Sequence, residues 1–461
     1  MPSLHLLLLL LYVIVSAILV ISFPHSKKWQ GLLISSLLFY YLLAGLKVFF
    51  LILFAVLVYW SGRLIIRYPR MSWVFVTAAL IPLILMKAVN TDSIFATYLN
   101  ENNFDIKVEN YQSILEIAGI SYFTFNSISY LIDVRRRYIE PEKNFFFLLL
   151  YIIYFPCILS GPLHRAKYLF GLFKNVRITA ANVSCGLRLI LFGLFKNLVI
   201  AKRLFLMVTL MQDSNLGGIY YLLCGLTFFL FLYFSFSSFV DLFRGISKIF
   251  NIPLKDNFRN RIYLSRSRQQ FWKGWHITLN EWFRDYVFFN LAKRDKRRRH
   301  TDKILLLTFL LIALWHDLTF VFLIWGLLNG MWIILEKKVA FDKWPLPKLR
   351  SWLGIVYHLV ISSFLALLFI ASDIKTFVRK LFLSPANFPT GIVANHMNTI
   401  LLLFLSFLIV DYHYLKAGDL KFDEYLDKKN GLYRWSVYLQ LTFLLLLFGV
   451  KEGVDNYYIQ F

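Results

Sequence analysis

Acidic residues are scarce in this 461-residue chain: 26 Asp and Glu stand against 50 Lys and Arg, a formal charge of +24. Charge of either sign is sparse too, at 16%, while hydrophobic residues reach 59% and aromatics 18%, with 47 Phe. Soluble domains hold roughly 45–50% apolar residues. The composition therefore excludes a disordered polypeptide, a coiled coil and an ordinary soluble enzyme. It also removes nucleic-acid binding, the first reading a large positive charge invites, because a duplex-binding face must be solvated as well as basic. What remains is an integral membrane protein whose Lys and Arg lie in cytoplasmic loops. Cysteine is nearly absent: Cys157, Cys185 and Cys224 lie in or beside apolar runs, without metal-ligand spacing. That leaves no disulfide framework and makes them small buried hydrophobes. Three catalytic signatures are missing: the G-x-x-x-x-G-K-S/T phosphate loop, the G-x-S-x-G elbow and H-E-x-x-H. An ATP-driven pump, a serine esterase and a zinc protease each lose their usual mark, and no metal is expected.

A spanning helix needs about 20 apolar residues at about 1.5 Å each to cross a core of about 30 Å. Candidates fall near 4–22, 30–45, 46–60, 72–90, 111–133, 145–159, 183–210, 218–241, 304–334, 354–372, 393–411 and 434–450. The expected fold is all-α and polytopic, with about 11–12 transmembrane helices plus re-entrant or interfacial helices. No polar linker divides it, so residues 1–461 form one domain with a catalytic core over about 110–335. Nothing basic precedes Leu4 and no small-residue cleavage site precedes Lys27 and Lys28, so the first stretch is expected to be a retained span with its N-terminus outside. With a tight turn near Gly45, the basic loops 23–29, 61–71 and 134–144 then fall inside and the acidic loop 90–110 outside, as the positive-inside rule asks. Two denser basic stretches, 255–273 and 293–303, are also expected to be cytoplasmic. They suit anionic lipid or an acidic donor such as a nucleotide-bearing cofactor or an acyl carrier protein.

Chemistry concentrates between Asp241 and Ile304. On one helix, Trp272, Trp275, Leu279 and Trp282 would share an aromatic face, with His276, Asn280 and Phe283 beside it. An interfacial tryptophan belt explains the aromatics but not His276, Asn280, Glu281, Arg284 and Asp285 among them. The apolar run from Ile304 to Leu335 would be about 48 Å long as a single helix, so tilt or a break is expected. Its polar interruption is Trp315-His316-Asp317-Leu318-Thr319. His316 lies about 18 Å into the run, and an intramembrane ionisable group is a functional candidate by default. A buried neutral imidazole suits general-base work: it can take a proton from a hydroxyl that attacks an acyl thioester. Asp317 points about 100° away on a helix and is no partner for a dyad.

At these residues the chain resembles the membrane-bound O-acyltransferase (MBOAT) superfamily, in its bacterial cell-envelope branch. The resemblance rests on blocks in order: Ser36-Leu37-Leu38-Phe39-Tyr40; Gly119 to Phe125 with Ser129 to Asp133; Phe155-Pro156 and Ser160-Gly161-Pro162 with Arg165; Gly193 to Asn197. Asn257-Phe258, Phe271-Trp272, Trp275-His276, Trp282 to Tyr286, Trp315-His316 and Trp325-Gly326-Leu327 follow. It implies that His316 and His276 are catalytic, with Asn280, Arg284, Asp285 and Trp315 supporting the site. It also implies helices around a central funnel, a bacterial inner (cytoplasmic) membrane location and a cytoplasmic thioester donor. That donor is acetyl-CoA or an acyl carrier protein thioester. The acceptor is an extracytoplasmic envelope polysaccharide or an SGNH-type acetyltransferase partner. Asp317 replaces the family's Gly, Ser235 to Phe239 replace most of a common block that keeps Asp241, and the Leu-Gly-Gly after Tyr286 is absent. The absent Leu-Gly-Gly and Arg284-Asp285-Tyr286-Val287-Phe288 lean towards D-alanylation of teichoic acid. The long region after 350 ending Tyr457 to Phe461, together with Ser129 to Asp133, favours O-acetylation, which is the preferred expectation. A transporter of envelope precursors and a non-catalytic scaffold remain as the alternatives from other classes.

Overall fold

The computed structural model describes residues 2–89, 117–158, 161–214, 216–293, 299–339, 347–371, 373–386 and 390–450. The acidic loop 90–110, much of the basic run 293–303 and Tyr457 to Phe461 lie outside the described residues. In hydrocarbon no water satisfies backbone N–H and C=O groups, so long apolar runs must pair them internally as helices. Among the described residues every extended element is helical, joined by one isolated bridge between Phe258 and Trp275. The principal helices are α1 (Pro2–Ile21), α2 (Lys28–Ala44), α3 (Val48–Arg67), α4 (Ser72–Ala88), α5 (Ile120–Arg135), α6 (Phe145–Ile153), α7 (Ala180–Phe195) and α8 (Lys202–Asp213). They continue with α9 (Gly218–Ile249), α10 (Arg268–Gly274), α11 (Ile277–Phe283), α12 (Thr301–His316), α13 (Phe320–Val339), α14 (Pro347–Ile370), α15 (Met397–Ala417) and α16 (Gly431–Phe448).

Eight helical stretches among the described residues are long and apolar enough to cross a membrane. One of them, His25–Arg67, holds two of the expected spans, α2 and α3, parted at Gly45 with φ +57°. One other expected span is corrected, and the break expected in another is present. Within 145–159, α6 has nine residues, about 14 Å, too short to cross. Asn144 Oδ1 caps it, accepting from Phe146 N at 3.0 Å and Phe147 N at 3.3 Å, and Phe147 through Ile153 are buried on all sides. Irregular backbone follows it inside the protein, where burial makes such backbone tolerable. The run 304–334 breaks into a helical hairpin. Gly326 on α13 lies against Ala313 and Phe309 of α12, and Gly330 lies against Leu306. Lys337 Nζ comes within 4.0 Å of Asp302 Oδ1, so the open ends of α12 and α13 lie together. His316 is at the closed end, about 24 Å away along α12.

Basic loops gather at one end. Arg63 donates to the carbonyls of Glu142 (3.1 Å) and Lys143 (3.3 Å), and Arg135 Nε donates to Pro69 O (3.0 Å). These contacts bring loops 61–71 and 134–144 together. Close backbone approach builds the centre: a Cβ on Gly245 of α9 would sit 2.6 Å from Gly186 O of α7, and one on Gly193 would sit 2.7 Å from Ser238 O. Small residues permit such crossings in membranes. Gly245→Ala is expected to push α7 and α9 apart and cost about 1–3 kcal/mol, read as a lower midpoint in a detergent melt. An unchanged midpoint would contradict this packing.

Candidate active site

The segment carrying His276 is not one helix, which corrects the shared aromatic face expected across Trp272 to Trp282. Ser267 Oγ caps α10 by accepting from Gln270 N at 3.1 Å, and the helix stops at Gly274. Trp275 is extended, and its neighbours pair with the preceding loop: Arg259 N donates to Gly274 O (2.9 Å) and Ile277 N to Asn257 O (3.0 Å). His276 then takes the left-handed conformation, φ 45° and ψ 53°, before α11 begins. A non-glycine residue held there costs of order 1–3 kcal/mol, and such strain clusters at functional sites. Asn257 Oδ1 holds the start of α11, accepting from Thr278 N (3.1 Å) and Thr278 Oγ1 (2.6 Å). Thr278 Oγ1 in turn accepts from Leu163 N at 2.9 Å.

The His276 side chain is only 4% exposed. Its ring meets Phe236 edge-on at 4.7 Å, and its Nδ1 has no hydrogen-bond partner among the described residues. Buried polar atoms are rarely left so. Trp315 is close to both histidines, its ring 6.2 Å from that of His276 and 4.6 Å from that of His316. Trp315 Nε1 is also unpartnered among the described residues. Behind Trp315 stands a stack: Phe125 lies 5.7 Å from it, and Trp282 lies 4.3 Å from Phe125 on the other side. Trp282 Nε1 donates to Phe125 O at 3.0 Å, locking the stack.

His316 ends α12, and its half-buried ring is walled by Phe322 (5.9 Å), Trp325 (5.5 Å) and Phe369 (5.5 Å). The structure thus gathers His276, His316 and Trp315 in one aromatic shell. Asn280 serves the fold instead, as Nδ2 donates to Trp272 O (2.8 Å) and Trp275 O (2.5 Å) and so fixes the break before α11. Arg284 and Asp285 lie beyond the far end of α11, about 12 Å along its axis from His276. Asp285 accepts from Arg165 and Arg284, both at 3.0 Å. Beside it Tyr286 Oη donates to Asp133 Oδ2 at 2.9 Å under the Arg165 guanidinium.

Sequence reasoning passed over His164 and Lys87. His164 Nε2 accepts from Lys255 N at 2.9 Å, so Nδ1 must carry the proton it donates to Pro162 O at 2.8 Å. This bond anchors the loop from which Leu163 and Arg165 reach α11 and Asp285. Burial, with Lys255, Arg165 and Arg244 nearby, pulls the imidazole from 6.5 down to about 4 although the Pro162 bond opposes it. With the folded value below the unfolded one, this stability is present above about pH 6.5 and lost as pH falls towards 4. The loss at pH 5 is about 2 kcal/mol. Melts at pH 7 and pH 5 are expected to separate in the wild type and to converge in His164→Gln; equal separation in both would remove this role. Among the described residues no three His, Cys, Asp or Glu side chains come together as metal ligands.

Residues 109–352 match the model of the MBOAT, membrane-bound O-acyltransferase, family, more than half of the chain and the part that holds both histidines. The chain belongs to this family. It is a multi-pass membrane protein, as the family and the eight long apolar helical stretches among the described residues require. A Pseudomonas putida protein named "probable alginate O-acetylase AlgI" is 30% identical over 68% of this chain and 66% of its own length. A peptidoglycan O-acetyltransferase of Helicobacter pylori is 30% identical over 52% of this chain and 51% of its own. A teichoic acid D-alanyltransferase of Bacillus subtilis is 28% identical over 52% of this chain and 63% of its own. The chain therefore spans between about half and just under two thirds of the length of these relatives.

Proposed function

We propose that this family member is an O-acyltransferase that moves an acetyl group from a cytoplasmic thioester to a hydroxyl of an extracytoplasmic polysaccharide or partner protein. The observation that carries this is the pair of histidines around Trp315, one of them strained, buried and unpartnered at Nδ1. In this reading His316 removes the proton from the acceptor hydroxyl as its oxygen attacks the thioester carbonyl. His276 and Trp315 offer N–H groups to the carbonyl oxygen, which gains negative charge as the bond forms; aimed donors in a dry site are worth most at that moment. His316 then returns the proton to the sulfur as the C–S bond breaks. The donor is acetyl-CoA or an acyl carrier protein thioester, and the unpartnered ring N–H positions suit the carbonyl of either.

The gathering of basic loops 61–71 and 134–144 at the end away from His316 supports a cytoplasmic donor side in an inner membrane. The acetyl preference rests on the wider match to the alginate relative than to the teichoic acid relative. An SGNH-type acetyltransferase is the expected protein acceptor. The test is mass spectrometry of ester-linked groups released from the envelope by mild base, comparing wild type with a deletion strain. Loss of acetate supports the reading, and loss of D-alanine instead moves it to teichoic acid. Unchanged esters would overturn it and leave transport or scaffolding.

A further inference from the structure

We propose that Lys87 and Asp317 act together as positioning residues for His316, holding its turn in register while cancelling each other's charge; this rests on the proposed acyl transfer. Lys87 lies in the last turn of α4, is only 9% exposed, and donates from Nζ to His316 O at 2.6 Å. The last four carbonyls of a helix have no intrahelical donor and carry its negative dipole end. Lys87 therefore meets one of them with a charge-assisted bond, among the stronger kinds of hydrogen bond. It joins two helices otherwise far apart in sequence, and it does so at the residue proposed as the base.

A buried ammonium is expensive without a counter-charge. Asp317 is the nearest candidate: it follows His316, the residue whose carbonyl Lys87 bonds, and its carboxylate attracts the ammonium. Asp317 is extended, with φ −160° and ψ 155°, a conformation open to any residue. Its N–H closes the last turn on Ala313 O at 3.0 Å, and its Oδ1 accepts from Leu318 N at 2.8 Å. The carboxylate standing where the family pattern has Gly is thus part of an arrangement that includes Lys87. The charged and titratable groups that act on the His316 ring are Lys87 and His276. The rest of its wall is Trp315, Phe322, Trp325 and Phe369. Without Lys87 the Asp317 carboxylate loses the charge it faces, and a stranded charge would disturb the turn that ends in His316.

The experiment measures acetyl transfer by the full chain in native membranes, with turnover and KM for acetyl-CoA. The variants are Lys87→Met, Asp317→Gly, the double variant, Lys87→Arg and His316→Ala. Lys87→Met is expected to lower turnover about 10–100-fold with KM changed less than about threefold, because the donor does not touch it. Adding Asp317→Gly should recover most of that loss, and Lys87→Arg should keep most activity. Melts separate this from simple unfolding. If Lys87→Met does not accumulate, Asp317→Gly carries the test: it should be slowed, and adding Lys87→Met should speed it. Wild-type turnover in folded Lys87→Met, or losses in the two single variants that simply multiply in the double, would overturn the proposal. Activity in His316→Ala, or an inactive folded wild type, would instead fail the underlying acyl-transfer reading.

Discussion

His316→Ala is expected to stop ester formation while folded protein stays in the membrane. A positioned general base is typically worth about 10²–10⁴-fold in rate, and the site offers no substitute in the same place. His276 is held on a different element, the left-handed turn before α11. The fold should survive because the ring is half-buried and its anchors are main-chain groups. Lys87 still finds the carbonyl of residue 316, and the N–H of Asp317 still closes the turn. His316→Gln is the sharper control, since it keeps size and a hydrogen-bonding group but cannot take the proton; it should be as inactive as Ala. The measurement is transfer by membranes holding matched amounts of protein. Activity within about tenfold of wild type in either variant would mean that the proton leaves by another route.

His276 calls for a different substitution. Its left-handed conformation means that Ala would add strain as well as remove the ring. Asn tolerates that conformation and isolates the loss of the imidazole. His276→Asn should therefore be stable and slow, and the ratio of its rate to that of His316→Gln would rank the two roles.

The helices were legible because apolar composition leaves the backbone no other choice in lipid. The break at Trp315 to Thr319 was legible because polar residues interrupt an overlong run. Its form as a hairpin was not, because that depends on Gly326 and Gly330 meeting α12 face to face. The break at Trp275 and His276 escaped periodicity because the residues on both sides fit a helical pattern. It is imposed by Asn257, Phe258 and Asn280, partners that only folding brings near. Lys87 was passed over for a related reason. A single Lys at the end of an apolar run resembles a span-end residue that snorkels to water, and only the contact with His316 distinguishes it. Arg284 and Asp285 looked like neighbours of His276 in sequence, yet α11 carries them to a different place, beside Arg165.

Removing Asp241 should unfold more of the protein than removing either histidine. Lys196 is 1% exposed in the turn between α7 and α8, and its Nζ is held by Asp241 Oδ2 (2.6 Å), Ser237 Oγ (3.0 Å) and Tyr414 Oη (3.3 Å). Asp241 is also 3.3 Å from Arg244, Arg244 is 3.2 Å from Asp256, and Asp256 is 2.9 Å from Lys421. The chain of charges ties α7, α9 and α15 to the loop bearing Asn257, the residue that holds α11 against His276. Burial alone would raise the Asp256 carboxyl, but Arg244 and Lys421 outweigh it and hold the group well below the usual carboxylate range. Breaking a buried pair by deleting one partner costs about 3–5 kcal/mol, because the other charge is left stranded. Asp241→Ala should therefore sharply lower the melting midpoint and the amount of protein in the membrane. Replacing both charges, as in Asp241→Leu with Lys196→Met, should restore much of the loss, since a well-packed apolar pair of similar volume is often as stable. Transfer by the double variant then reports on the loop: if its melt recovers and its rate does not, the charges also set the geometry around His276. A melt of Asp241→Ala within about 2 °C of wild type would show that Lys196 finds another partner and that the network carries little of the stability.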